Sequence, residues 1–355
     1  MTSRERVLTA MRRQPTDRVP FDFSWGFTPP ALDAIRRRIA HDSPEDYFGA
    51  DTRIVRLGPT RLATDFSPYL GELRPGDRVD EWGTGHRPTS SDELSHSHLD
   101  GFVYPMLGLS TAADAAAYPL PDLEAEYRYE SVGQQIRDIQ ARGLAALAAI
   151  DCTVFEVAWY MRSMELLLTD MVDNPGFAST LLDRITAKRE VQAARCAELG
   201  ADVIAFGDDV GTQRGMLMSP AMWRRWLKPR LAQTIAAARR VRPDVLVFYH
   251  SDGDVRPIIG ELIEIGVDIL NPVQPECMDP ALLKRLWGDR LSFWGTIGTQ
   301  TTFPFGTPDD VRKEVRLRIE TVGNGGGLFL APTHFIEPEV PFENIVAFVD
   351  AAKES

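Results

Sequence analysis

Val245-Leu246-Val247-Phe248-Tyr249-His250-Ser251-Asp252-Gly253 is the stretch on which the fold turns. Five consecutive apolar residues, mostly β-branched or aromatic, read as a buried strand that ends at His250, and a serine, an aspartate and a glycine follow. Six other stretches have the same form: 18–24 (RVPFDFS), 144–150 (LAALAAI), 202–207 (DVIAFG), 267–271 (VDILN), 291–296 (LSFWGT) and 327–331 (GLFLA). The alanines of 144–150 also suit a helix.

Helix starts fall between these strands. Ser219-Pro220, Asp279-Pro280 and Thr307-Pro308 each place a capping side chain before a proline at the first helical position. After Ser219, the spacing of Trp223, Trp226, Leu227, Leu231 and Ile235 keeps one apolar face, which Pro229 is expected to kink. Thr2 and Glu5 form a capping box ahead of a short helix with Val7, Leu8 and Met11 inward. Residues 56–129 break the rhythm and read as an excursion after the first strand, expected to cover the mouth as a lid.

Alternating strands and helices specify an α/β protein, either a doubly wound sheet or a (β/α)8 TIM barrel. No G-x-G-x-x-G follows a strand and opens a helix. Ser24, Asp208, His250, Asn271, Thr296 and His334 all fall at or just past strand ends, the rim on which barrels carry their active sites. The expectation is one barrel domain spanning 1–355 with an irregular insertion after the first strand.

Composition narrows the function. The 355 residues carry a net charge of −12, the wrong sign for gripping nucleic acid or an anionic membrane surface. Cys152, Cys196 and Cys277 are odd in number and far apart, which suggests no disulfide framework and a cytoplasmic home. No apolar run approaches the roughly 20 residues that span a bilayer, and the Arg-rich opening lacks the apolar core of a signal peptide.

Side chains at i and i+2 of an extended segment point the same way, so His250 and Asp252 reach toward one point. A neutral imidazole and a carboxylate are both metal ligands. His334, closing A-P-T-H at the end of the last strand, adds a third. Two histidines and a carboxylate leave positions open for substrate and suit zinc, Fe(II) or another first-row divalent metal. Asp208 and Asp209 offer a general base, an orienting group or an amine clamp, or else a helix cap. Glu156, amid Val154, Phe155, Val157 and Trp159, is desolvated unless paired, with Arg162 as the expected partner. Gln274 and Gln300 suit substrate orientation. His96 and His98 read as a solvated loop, 323–327 as a turn, and Cys277 as a free thiol.

Taken in order, these motifs resemble the uroporphyrinogen decarboxylase-like superfamily, in its methyltransferase branch that works with corrinoid proteins. The resemblance rests on T-S-R-E-R-V-L-T-A-M-R-R with D-R-V-P, Gly207-Asp208-Asp209 with S-P-x-M-W, H-S-x-G, D-I-L-N-P-V-Q, F-W-G-T-I, and A-P-T-H with P-x-x-P-F-E-N. It spans nearly the whole chain outside 56–129 and implies a (β/α)8 barrel. The decarboxylases proper carry R-Q-A-G-R after the first strand, whereas Phe23-Ser24-Trp25-Gly26-Phe27-Thr28-Pro29 has no arginine to hold a porphyrinogen.

The methyltransferase branch implies zinc held by H-x-C and a later cysteine or histidine. His250 and His334 occupy the matching positions, while Asp252 stands where relatives commonly have cysteine and Gly298 where many have aspartate. The resemblance thus implies methyl transfer between a small substrate or thiol and a corrinoid carried by a partner protein. His250, Asp252 and His334 would hold the metal, Asp208 or Asp209 would orient substrate or shuttle a proton, Glu156 would join them as a catalytic group in a polar wall completed by Gln274, and Gln274, Asn271 and Gln300 would bind the cofactor. The rivals are a diverged metal-dependent lyase or decarboxylase on a small organic acid and a non-catalytic barrel.

Overall fold

The computed structural model describes residues 1–87 and 101–354; His96 and His98 lie outside them. Seven strands form one parallel sheet in chain order. They are β1 Thr52–Val55, β2 Ala145–Ile150, β3 Val203–Gly207, β4 Leu246–His250, β5 Ile269–Asn271, β6 Ser292–Trp294 and β7 Leu328–Phe329. Six match expected strands, and the alanine-rich segment is a strand because its two neighbours supply ladder partners on both edges.

The expected first strand, 18–24, is a correction. It contributes only an isolated parallel bridge between Phe21 and Leu330. Asp22 N–H donates to the Leu330 carbonyl at 3.1 Å, and the Leu330 N–H donates to the Pro20 carbonyl at 2.9 Å. On the other flank the Asp51 N–H reaches the Phe21 carbonyl at 2.9 Å, but the Phe21 N–H turns to the Asp51 carboxylate. Pro20 has no N–H to continue a ladder, and Ser24 at φ 54° ends the extended run. The segment therefore sits between β7 and β1 without pairing as a strand, and the first strand of the sheet is Thr52–Val55, directly before the 56–129 excursion.

Period-two alternation sorts each strand into two cores. Leu147, Ala149, Val203, Ala205, Leu246, Phe248, Ile269, Trp294, Phe329 and Ala331 gather on one face, where Val7, Ala10 and Met11 of the helix Ser3–Met11 plug the end. Ala148, Ile150, Ile204, Phe206, Val247, Tyr249, Leu270 and Phe293 face the other way, against the surrounding helices. Trp294 stacks on Phe329 at 3.5 Å between ring centroids and 7° between planes, and Phe248 meets Trp294 edge-on at 5.3 Å. Because Leu246 and Phe248 point inward, His250 does too.

The three Ser, Asp and Thr caps form as expected, each accepting a backbone N–H from the first turn of its helix. Pro229 does more than kink its segment. The chain divides at Leu227 into Pro220–Trp226 and Lys228–Val241, since the ring cannot sit inside one continuous helix. Within the excursion, short strands Arg78–Val79, Gly85–Arg87 and Gly101–Val103 pair antiparallel. All three cysteines are free. Among the described residues, no helix is long and apolar enough to cross a membrane.

Candidate functional site

The C-terminal ends of the strands surround a cavity of about 720 Å3, lined by Trp25, Phe102, Glu156, Trp159, Tyr160, Asp209, His250, Asp252, Gln274, Gln300, His334 and Phe335 among others. His250 is the last residue of β4 and 9% exposed. It stands beside Gly207 of β3, where any Cβ would lie 2.9 Å from that of His250, so only glycine leaves the imidazole room. One ligand atom each from His250, Asp252 and His334 falls within 4.8 Å of the others.

The loop that carries Asp252 is clamped from three sides. The Asp252 N–H donates to Asp209 Oδ1 at 2.7 Å, the Gly253 N–H to Gln274 Oε1 at 2.7 Å, and the Ser251 N–H to the Asn271 carbonyl at 2.9 Å. Ser251 Oγ in turn accepts from the Val210 N–H. Gly211 and Gly253 permit the close approach of these two loops. A Cβ on Gly211 would lie 2.4 Å from the Asp252 carbonyl, and Gly253, at φ 81°, would place one 2.6 Å from the Thr212 N–H nitrogen.

Asp252 Oδ1 is shielded from solvent and accepts no hydrogen bond. Burial, opposed by His250 and reinforced by the Asp209 charge, pushes this carboxyl up to about 7. An oxygen in that state lacks a partner, and a cation beside it would supply one. Two imidazoles and a carboxylate are also a donor set that zinc or Fe(II) accepts. The residues thus fit a divalent metal on both counts.

The two aspartates after β3 have different surroundings. Asp208 is buried and accepts from the Val154 and Glu156 N–H groups, both oxygens serving Val154, so it caps the helix Phe155–Arg162. Burial still raises it to about 6, with those N–H groups opposing. Of the roles the sequence left open, Asp208 takes that of a cap and not of a proton carrier, because its carboxylate turns toward the helix end. Asp209 lines the cavity, with Oδ1 3.6 Å from His250 Nε2.

Glu156 does not pair with Arg162, which bonds Asp170 at 2.8 Å instead. Successive positions on a helix project in different directions, and Glu156 projects into the cavity while Arg162 faces the next helix. Glu156 accepts from Tyr160 Oη at 3.2 Å and from the Asp209 N–H at 3.1 Å. Burial, with Asp209 and Asp208 nearby, holds its carboxyl well above the usual carboxylate range.

Asn271 is fully buried and makes its amide contacts inside the protein, toward His250 and the Trp294 carbonyl. It was expected to face a cofactor; instead it backs a histidine, since inward residues on paired strands meet side by side. Gln274 lines the cavity while holding the Gly253 loop, and Gln300 lines it from an exposed turn. Trp25 meets His250 edge-on at 5.3 Å. Phe27 packs in the core against Phe23 at 5.1 Å.

Sequence reading expected the excursion over the mouth but named none of its residues for the site. Phe102 stacks on Tyr160 at 4.7 Å, and Trp159 lies 4.1 Å from Tyr160, giving the cavity one aromatic wall. The only hint was the run of aromatics in V-A-W-Y, which carries no information about a distant Phe102. Arg56 also lines the cavity, with its charge paired to Asp151 at 2.8 Å.

A profile of the uroporphyrinogen decarboxylase (URO-D) family matches residues 104–355. The methylcobamide:CoM methyltransferase MtaA of Methanosarcina barkeri is 34% identical over 364 residues, covering 99% of this chain and 98% of that protein. A uroporphyrinogen decarboxylase of Coxiella burnetii is 22% identical over 373 residues, covering 98% of this chain and 94% of its own. Among solved structures, a methyltransferase from Methanosarcina mazei superposes with a TM-score of 0.70 at 20% identity, over 100% of this chain and 99% of that one.

Proposed function

The chain belongs to the uroporphyrinogen decarboxylase (URO-D) family, and from that premise we propose that it is a cytoplasmic, metal-dependent methyltransferase. It moves a methyl group between a small methoxylated or methylated substrate, or a thiol, and a corrinoid carried by a partner protein. The observation that carries the reading is the convergence of His250, Asp252 and His334 within 4.8 Å at one end of an aromatic cavity. Likeness to the M. barkeri protein over the full chain supports methyl transfer over decarboxylation. The fold is read as a (β/α)8 barrel in which 20–22 takes the eighth place between β7 and β1. Residues 56–129 act as its lid, a role supported by Phe102 in the cavity wall.

His250, Asp252 and His334 would hold zinc or another divalent metal, which when bound supplies Lewis acidity to a thiol or to the heteroatom bearing the methyl group. The chain's own residues do the rest. Asp209 and Gln274 fix the Asp252 loop, so its carboxylate is pre-positioned. Glu156 holds a proton at its buried carboxyl and can deliver it to a leaving group or take it back. Phe102, Trp159, Tyr160 and Trp25 exclude water and offer aromatic faces to a small organic group.

A porphyrinogen fits this cavity poorly. Its many carboxylates need cationic partners to be buried, and the cavity's arginine, Arg56, is already matched by Asp151. Purified, metal-replete protein is expected to move methyl groups between small donors and cob(I)alamin and to release no CO2 from uroporphyrinogen. Cobalamin left untouched across a broad panel of methyl donors and thiols would overturn the reading in favour of a diverged metal-dependent lyase.

A further inference from the structure

We propose that Asn271 is a positioning residue that fixes His250 in one tautomer, with the hydrogen on Nδ1 and the lone pair of Nε2 turned toward Asp252 and His334. The inference rests on the reading of those three residues as a metal site and adds what prepares the site for its ion.

The Trp294 carbonyl can only accept, and it lies 2.9 Å from Asn271 Nδ2. A flipped amide would set two oxygens against each other, so Nδ2 must face Trp294 and Oδ1 must face the other way. Oδ1 lies 2.6 Å from His250 Nδ1. An amide oxygen cannot donate, so at that distance the hydrogen belongs to Nδ1. The lone pair is then on Nε2, which lies 3.9 Å from Asp252 Oδ1 and 3.6 Å from Asp209 Oδ1.

Two surroundings compete with this assignment. The Trp25 indole N–H points at Nδ1 from 3.3 Å and favours a bare nitrogen there, but the Asn271 oxygen is closer, at 2.6 Å, and cannot approach a lone pair that closely. The carboxylates of Asp209 and Asp252 favour a hydrogen on Nε2, the wrong tautomer for a ligand. Asn271, fully buried and paired in register with His250 across β4 and β5, is the group that opposes them. Metal-binding histidines commonly donate their second N–H to such an acceptor, and loss of that acceptor weakens metal binding by about 10–100-fold.

The test is long-range 1H–15N correlation on full-length, metal-free protein labelled with 15N-histidine, at about pH 8.5, where an ordinary imidazole is neutral. His250 is assigned by loss of its signals in His250→Gln. Wild type is expected to show a protonated Nδ1 and a bare Nε2. Asn271→Leu should move the hydrogen to Nε2, and Asn271→Asp, which keeps an acceptor at Nδ1 and as a buried neutral carboxyl donates to the Trp294 carbonyl, should leave it on Nδ1. Zinc affinity, read by competition with a chromophoric chelator, should fall about 10–100-fold in Asn271→Leu and change little in Asn271→Asp. A wild-type Nε2–H tautomer, or an Asn271→Asp protein with the hydrogen on Nε2, overturns the proposal even if the leucine variant does not fold. Wild type with the expected tautomer and no zinc binding instead overturns the metal reading and leaves the Asn271–His250 assignment standing.

Discussion

Replacing Asp252 by asparagine should stabilise the metal-free protein while weakening its hold on zinc. The carboxyl of Asp252 is pushed up to about 7 by burial, against roughly 3.9 for a solvated aspartate. That difference of about 3 units at 1.36 kcal/mol each sets a ceiling of about 4 kcal/mol. The side chain keeps 30% of its exposure, so water screens part of the penalty and about 2 kcal/mol is the working figure.

The sign follows from proton binding. A carboxyl whose pKa rises on folding favours the native state below its unfolded pKa, and that contribution is lost as pH climbs through 7. The asparagine variant should therefore match wild type near pH 4 and exceed it at pH 8. With the entropy of unfolding scaling with the 355 residues, about 2 kcal/mol corresponds to a rise in Tm of about 3 °C. Added zinc should reverse the order, because a neutral amide is a poorer ligand than a carboxylate. Thermal melts of both proteins at pH 4, 6 and 8, with chelator and with zinc, supply the comparison. A stability gap that does not change with pH would show that Asp252 is not desolvated, and equal stabilisation by zinc would show that it is not a ligand.

Three further outcomes are expected. Gly211→Ala puts a methyl 2.4 Å from the Asp252 carbonyl, so the loop must shift, at a cost of about 1–3 kcal/mol; chelator competition should show weaker zinc binding, and an unchanged affinity would mean that this loop contact does not place the ligand. Asp208→Ala removes the cap of Phe155–Arg162 and should lower stability by about 1–2 kcal/mol in denaturant titrations, with zinc affinity preserved; loss of zinc without loss of stability would return Asp208 to the site. Glu156→Gln imitates the protonated form that burial favours, so folding and zinc content should hold while methyl transfer slows by about 100-fold or more, and an unaffected kcat would remove Glu156 from proton handling.

The sequence by itself was enough for much of the fold, because strands and helix starts are local. Val245 to His250 announces a strand without knowledge of its neighbours, and Asp279-Pro280 announces a helix from two residues. The position of His250 at a strand end put it on the rim, and the spacing of His250 and Asp252 made them a candidate pair. Edge pairing was not legible. Residues 18–24 have the composition of a strand but meet Asp51 through its side chain, whereas Thr52–Val55, with only four residues, is a strand because Ala145 to Ala148 lie alongside it.

Tertiary structure alone separated Asp208 from Asp209. Adjacent in sequence and identical in chemistry, one faces a helix end and the other the cavity, a difference set by a segment some fifty residues earlier. It alone brought Phe102 onto Tyr160 and set Glu156 against the Asp209 N–H in place of Arg162. Hydrogen bonds and desolvation act over a few ångströms in space and have no fixed period along the chain. Residue type and spacing therefore name the groups capable of chemistry, and packing decides which of them face one another.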